Sequence, residues 1–522
     1  MHFMTQILYS VYSCSFGFLC LALILATGSV VYSQTTGSAL SLKVDFSKDI
    51  GKQEMFWNYT GFVRYPMNSP DVYQNMQHIA SIPHNGCEFV RPHDLLTLVK
   101  VENIETKHPK YDWSELDRFL DKMVQSGNKM LFELMGNPSD SFYDFRDDAQ
   151  VRAWKELVYQ LAVHLEKRYG AEEIRSWYFE SWNEPNINYG WKWDTQQEFH
   201  NYFDACSEGL RQADPEIRFG GPGVTLYFGE NGMEMMKALI HHCLEEPNYF
   251  TGEKNTQLSF ISFHIKQKAT TLVNQMEATI DELVKEFGDS IEGIPFINDE
   301  CDMQWGWRDH QPERQDSWYA SYVARQVTEI QLRLTRAKGY PVSISNDNAF
   351  LGWWDQRTQM TLIGNRTTFT QVKKPSHTIF AALSLLGDRQ CEVEGFSIEN
   401  QGISALATLR EDDQAAVLIS NYEDAFEGGS PQKVTLELKG LPFDEGKLAH
   451  YRIDENHANP YRVWKEMGEP LHEELEKLWE HQELTTLEPV RSFSKDDRTL
   501  DIDMPAKSVS LLLFSKDPGR EP

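Results

Sequence analysis

The chain has 522 residues, 41% apolar and 12% aromatic, which is enough to bury a large core and fits one barrel-sized domain plus a smaller one. Its 50 Lys and Arg stand against 78 Asp and Glu, a net charge of −28 with a sequence pI near 5.0. That balance argues against a nucleic-acid binder or a binder of anionic membranes, both of which need a broad basic face, but not against an anionic substrate met by a few cations in a cleft.

The chain begins with a short apolar run, Phe16–Ala26, followed by Val31-Tyr-Ser33 with a small residue at the expected cleavage point. The run is too short for a comfortable membrane span and predicts a signal peptide over 1–33, although no Lys or Arg precedes it. Ser41–Ser47 alternates like a half-buried strand. Eight β-type runs follow: Trp57–Arg64, Cys87–Arg91, Lys129–Met135, Ser176–Trp182, Arg218–Gly221, Ser259–Lys266, Pro295–Glu300 and Val342–Asn346. Amphipathic helical patterns alternate with them, at Trp113–Gly127, Gln150–Tyr169, Gln196–Ala213, Gly232–Leu244, Leu272–Phe287, Trp318–Lys338 and Ser376–Leu386. This alternation predicts an α/β chain with a (β/α)8 TIM barrel over 48–390. An open doubly wound sheet is the competing fold, but no Gly-rich phosphate loop stands at the first β–α turn.

From Cys391 the pattern changes to β-branched, alternating runs separated by Gly, Pro and Asp turns. These predict a C-terminal antiparallel β-sandwich built from 40–47 plus 391–517, interrupted by an acidic amphipathic helix near 467–484. Beyond the leader, Cys87, Cys206, Cys243, Cys301 and Cys391 are widely spaced and read as buried core thiols. Asn58-Tyr-Thr60 and Asn365-Arg-Thr367 are acceptor sequences for N-glycosylation.

The chemistry concentrates at two predicted strand ends. Trp177-Tyr-Phe-Glu-Ser-Trp-Asn-Glu-Pro185 closes the fourth strand, and Ile294-Pro-Phe-Ile-Asn-Asp-Glu300 closes the seventh. Active sites of such barrels lie at the C-terminal strand ends, and a retaining glycosidase needs two carboxyl groups about 5–5.5 Å apart. Glu184 and Glu300 fit as these two carboxyl groups, one to protonate the leaving oxygen and one to attack the anomeric carbon. A lone Glu is ordinarily a solvated strand end; the pairing of these two carries the argument. Glu180, Asp299 and Asp302 are rivals, with strand alternation turning Asp299 away from Glu300 and leaving Asp302 as a turn residue or an orienter. Lys266, two residues after His264, and Arg357 offer fixed cations, and Arg91 and His93 repeat the i, i+2 relation at the second strand. Their bland alternatives are surface ion pairs and a core histidine.

Phe179-Glu-Ser-Trp-Asn-Glu-Pro185, Ile297-Asn-Asp-Glu-Cys-Asp302, Gly306-Trp307, Tyr202–Leu210, Gly220-Gly-Pro-Gly223 and Ser345-Asn-Asp-Asn-Ala-Phe350 together resemble glycoside hydrolase family 39, in family order from roughly 55 to 390. The resemblance implies retaining hydrolysis of terminal α-L-iduronic acid in dermatan sulfate and heparan sulfate. It carries over Glu184 as acid/base and Glu300 as nucleophile, with His93, Asn183, Lys266, Gly306, Trp307, Asp347 and Arg357 as sugar contacts. It also implies a lysosomal glycoprotein reached through the secretory pathway, with secretion as the alternative, and leaves a homodimer open. The family's fibronectin-like third domain has no counterpart before Pro522, and Asn68 falls near a family histidine in the first loop. A β-xylosidase of the same family is the rival substrate reading, and a non-catalytic glycan-binding barrel is the rival class. No metal or cofactor is expected, since two-carboxylate hydrolysis needs none and no His/Cys/Asp group has ligand spacing in sequence.

Overall fold

The structure is a computed structural model that describes residues 39–62, 67–104, 106, 108–227, 231–306, 308–346, 351–365, 368–472, 474–494 and 496–516. The expected signal peptide, Trp307 and Asp347 lie outside the described residues.

Eight parallel strands close a barrel in chain order: Tyr59–Phe62, Phe89–Pro92, Lys129–Glu133, Tyr178–Glu180, Arg218–Thr225, Ile261–His264, Phe296–Cys301 and Val342–Asn346. Each falls on one of the eight runs predicted from sequence. The barrel floor is filled by Tyr59, Phe89, Leu131, Phe260 and Ile297, with Tyr178 packed against them. Tyr59 and Phe89 stack at 4.6 Å between centroids. Side chains two residues further along these strands are polar, which follows from the period of two: Phe89 is succeeded inward by Arg91, Leu131 by Glu133 and Tyr178 by Glu180. The floor is therefore apolar and the mouth ionic.

Side-chain caps start two of the outer helices. Asp147 accepts from Ala149 N at 2.9 Å before Asp148–Tyr169, and Thr195 accepts from Glu198 N at 3.1 Å before Gln196–Ala213. The pattern at Trp318–Lys338 divides into an α-helix, Ser317–Glu329, and a π-helical turn, Ile330–Arg336. A helix at Pro70–Ala80 escapes the sequence reading, as does the hairpin Met360–Asn365/Thr368–Lys373.

The C-terminal strands form one continuous ten-stranded sheet, antiparallel except where Leu40–Lys52 runs parallel to Gln432–Lys439. That first strand also pairs antiparallel with Arg389–Glu394, tying the start of the described chain to the second sheet. Both faces are buried. Along Gln414–Tyr422, Ala415, Val417 and Ile419 point into the sheet's own core, while Ala416, Leu418 and Tyr422 join the core that includes the barrel helices. Trp318 packs on Tyr422 at 5.3 Å. Among the described residues of the expected insertion helix near 467–484 only Glu476–Glu480 is helical, and another short helix, Pro460–Glu466, precedes that span. Among the described residues no helix is long and apolar enough to cross a membrane, and Cys87, Cys206, Cys243, Cys301 and Cys391 are free and buried.

Candidate active site

At the barrel mouth Arg91 is 1% exposed and is the hub of an ionic cluster. Its Nε donates to Glu180 Oε2 at 2.7 Å and lies 3.0 Å from Asp299 Oδ2. Its Nη1 donates to Glu300 Oε1 at 3.1 Å, and its Nη2 reaches Asn183 Oδ1 at 3.0 Å and Glu133 Oε1 at 2.7 Å. A guanidinium suits this place because it is planar, always charged and presents five donors at fixed angles.

Glu300 sits at the end of the seventh strand and is 4% exposed. Besides Arg91 it meets the Lys266 ammonium and, at 3.3 Å, His93 Nε2. Burial alone raises its pKa, but His264, Lys266 and His93 outweigh burial and hold the carboxyl well below the usual range. By linkage, a depressed carboxylate stabilises the fold above about pH 4.3 and loses that contribution only as pH falls through its lowered value. His93 moves the other way. Despite burial, Glu133 at 2.8 Å from Nδ1 and Glu300 at Nε2 raise it to about 10. Its contribution is complete below about pH 6.5 and is lost as pH rises through about 10. Both signs favour an enzyme whose site stays intact in acid.

Glu184 follows the fourth strand on a turn where its own φ is 46°, a left-handed conformation rarely adopted by residues with a side chain. The turn is fixed by Glu184 N donating to Gly223 O at 2.9 Å, and backbone strain of this sort persists only where surrounding contacts impose it. The carboxyl, 6% exposed, meets His264 Nδ1 at 3.0 Å. His264 Nδ1 is also 3.7 Å from Glu300 Oε2, and one carboxylate oxygen of each glutamate lies within 4.8 Å of the other.

Asp299 is a correction to the sequence reading. Alternation turns it away from Glu300, yet Asp299 lies against Arg91 and its Oδ1 is 3.3 Å from His264 Nε2. The register of the seventh strand shifts between Asn298 and Cys301, so consecutive acids both enter the barrel. Burial and the neighbouring Glu180 push the Asp299 carboxyl well above the usual range, outweighing Arg91. Glu180 moves the other way, held low by Arg91 against the effect of burial.

Of the remaining predicted residues, Asn183 is 1% exposed and oriented by Arg91. Lys266, 3% exposed, has its ammonium 4.5 Å over the Trp305 ring. Arg357 is 2% exposed, with Nη1 3.7 Å from Asp302 Oδ2. Asp302 is an orienter: it accepts from Arg314 at 2.8 Å and from the Tyr319 hydroxyl at 2.6 Å. Gly306 has φ 75°, which favours glycine, and a Cβ there would have to displace the Asp309 carboxylate, whose Oδ2 would stand 1.9 Å away. Asn68 is tied instead to Glu115 and Tyr73 on the barrel's flank. Asn58 is half-buried with Nδ2 3.4 Å from Glu88 Oε2, a contact a glycan would displace, and Asn365 ends a hairpin strand. Glu133 is the residue no sequence signal singled out; it reads as an ordinary strand-end acid until Arg91 and His93 are seen to converge on it.

Comparison with known proteins agrees with this geometry. The profile of "Glycosyl hydrolases family 39" matches residues 40–498. Alpha-L-iduronidase of Canis lupus familiaris is 34% identical over 92% of this chain and 79% of its own. Beta-xylosidase of Caldicellulosiruptor saccharolyticus is 25% identical over 70% of this chain and 72% of its own. Among solved structures, a bacterial orthologue of human α-L-iduronidase, described as catalytically competent without N-glycan modifications, superposes with a TM-score of 0.84 at 30% identity, covering 92% of this chain and 84% of that one. With a match of this extent, the chain belongs to glycosyl hydrolase family 39.

Proposed function

We propose that this glycoside hydrolase is a retaining exo-α-L-iduronidase, with Glu184 as acid/base and Glu300 as nucleophile. The observation that carries the reading is the approach of the two carboxyl groups, whose oxygens come within 4.8 Å. An inverting enzyme would hold its carboxyls about 6.5–9.5 Å apart to admit a water, and a retaining one about 5–5.5 Å. Glu300 attacks the anomeric carbon while Glu184 protonates the leaving oxygen. Glu184 then takes a proton from water, which releases the sugar from Glu300. Arg91, His93 and Lys266 keep Glu300 ionised and aimed, and Asn183, its Oδ1 fixed by Arg91, has its amide NH2 left to donate to the sugar's 2-hydroxyl.

Two things support iduronic acid over xylose. The α-L-iduronidases of dog, mouse and human are 32–34% identical to this chain and that of Drosophila melanogaster 24%, against 22–25% for two β-xylosidases. Lys266 and Arg357 also supply buried cations for a uronate carboxylate, which xylose lacks. His93, Gly306, Trp307 and Asp347 complete the proposed sugar pocket. The proposed natural substrates are dermatan sulfate and heparan sulfate, and the proposed location is the lysosome, with Asn58 and Asn365 glycosylated on the way. The bacterial relative supports activity that does not depend on those glycans. Homodimerisation is compatible with this reading and forms no part of its argument.

The test is release of fluorophore from an aryl α-L-iduronide at acidic pH, with the aryl β-xyloside in parallel. Turnover of the iduronide with the xyloside nearly inert is expected. Equal rates, or turnover of the xyloside alone, would discard the substrate. A second experiment addresses Lys266. Glu300 must be anionic to attack, so activity falls as pH drops through its depressed pKa. Lys266→Met removes one of the charges that depress it, and the acid limb of kcat/KM should move up by about one pH unit or more. An unmoved limb would show that Lys266 does not govern the nucleophile.

A further inference from the structure

Away from the barrel mouth, His200, His242 and Glu246 meet where the helices Gln196–Ala213 and Asn231–Glu245 pack together. One nitrogen or carboxylate oxygen from each lies within 4.8 Å of the others. His242 is 2% exposed, with Nε2 2.9 Å from Asp204 Oδ1 and Nδ1 2.9 Å from Glu246 Oε2. Asp204 is itself held, accepting from Tyr249 N at 2.7 Å and the Thr256 hydroxyl at 3.4 Å. A carboxylate behind the far nitrogen is the support that metal-ligating histidines ordinarily have, because it fixes tautomer and ring orientation. With Nε2 donating to Asp204, Nδ1 faces the Glu246 carboxylate, and either a proton on Nδ1 or a metal ion in its place joins the two. His200 Nδ1 is 3.9 Å from the same Glu246 oxygen, and its ring lies 4.3 Å from that of His242.

We propose that His200, His242 and Glu246 bind a divalent transition ion of the Zn²⁺ type, which clamps the two helices on the outside of the barrel. His242 and Glu246 supply the i, i+4 pair from one helix face, and His200 supplies the third ligand from the next helix. The spacing escapes a sequence search because that third ligand is 42 positions away from His242. Bonds of about 2.0–2.2 Å to a tetrahedral ion set ligand atoms roughly 3.3 Å apart, so the ion draws His200 and Glu246 together by about half an ångström and parts His242 from Glu246 by about as much. The Glu246 side chain, 42% exposed, gives the ion access from solvent and leaves a position for water. Two imidazoles and one carboxylate suit Zn²⁺, Ni²⁺ or Cu²⁺, whereas Ca²⁺ and Mg²⁺ take oxygen sets. The trio Glu184, His264 and Glu300 is as close together, but Lys266 and Arg91 already set two cations against Glu300 and repel a third.

The experiment uses chelator-stripped full-length protein titrated with Co²⁺, read by its visible bands and displaced by Zn²⁺. One equivalent is expected in the parent and in Glu300→Gln, with binding lost in both His200→Ala and Glu246→Gln. Glu246→Gln changes a half-exposed side chain and guards against a fold defect in His200→Ala. Saturating Zn²⁺ should raise the parent's Tm by about 3 °C or more and leave that of Glu246→Gln unmoved. Binding that survives both substitutions, binding lost only in Glu300→Gln, or no saturable binding at all would each overturn the proposal.

Discussion

Glu300→Ala lowers turnover of an aryl iduronide by about 10⁵-fold, and sodium azide restores part of it while releasing a glycosyl azide of inverted anomeric configuration. The size of the loss follows from removing the group that forms the bond, which costs about as much as disabling the whole constellation. Rescue follows from geometry. Alanine opens a space beside Arg91, His93 and Lys266, three donors that lose their shared acceptor when the carboxylate goes. A small anion is drawn into that space and attacks from the face Glu300 occupied. With an aryl leaving group, Glu184 need not donate a proton, so the displacement ends at the azide. Product analysis decides the matter: an azide of retained configuration, or loss below tenfold, would remove Glu300 from the nucleophile's role.

The barrel was legible because its strands are short apolar runs between long amphipathic helices, and local periodicity reports both. The paired glutamates were legible because each closes such a run. What sequence could not reach is non-local. That the strand at 40–47 joins the second sheet was expected; its parallel pairing with Gln432–Lys439 was not, because no local pattern encodes a parallel pairing across that distance. Asp299 was misplaced because alternation assumes an unbroken strand, and the register shift after Asn298 breaks it. Arg91 was seen to share a face with His93, but its place at the centre depends on Glu133, Glu180, Asp299 and Glu300 arriving from three other strands. An acid at a strand end looks the same in sequence whether it meets water or a buried guanidinium.

That dependence makes Arg91 the residue whose loss should damage stability most. Arg91→Met leaves four acids buried around an apolar side chain, and removing one partner from a buried ion pair costs about 3–5 kcal/mol. A drop in Tm of several degrees or failure to accumulate as folded protein is expected. The pH dependence identifies the cause. Without Arg91 the Glu133, Glu180 and Asp299 carboxyls lose the main charge that offsets their burial and have folded pKa values above their unfolded ones, so the deficit is smallest below about pH 4 and grows toward pH 7. A packing defect would give a deficit independent of pH. Arg91→Lys separates fold from chemistry, because an ammonium keeps the charge but cannot reach Glu180, Asn183 and Glu300 together in the fork that the guanidinium provides. Its Tm should recover most of the loss while kcat stays about 10²-fold down, since the nucleophile and Asn183 are no longer aimed by one rigid group. If Arg91→Met melts with the parent at neutral pH, the cluster's acids are not held by Arg91, and the mouth of the barrel owes its order to the helices outside it.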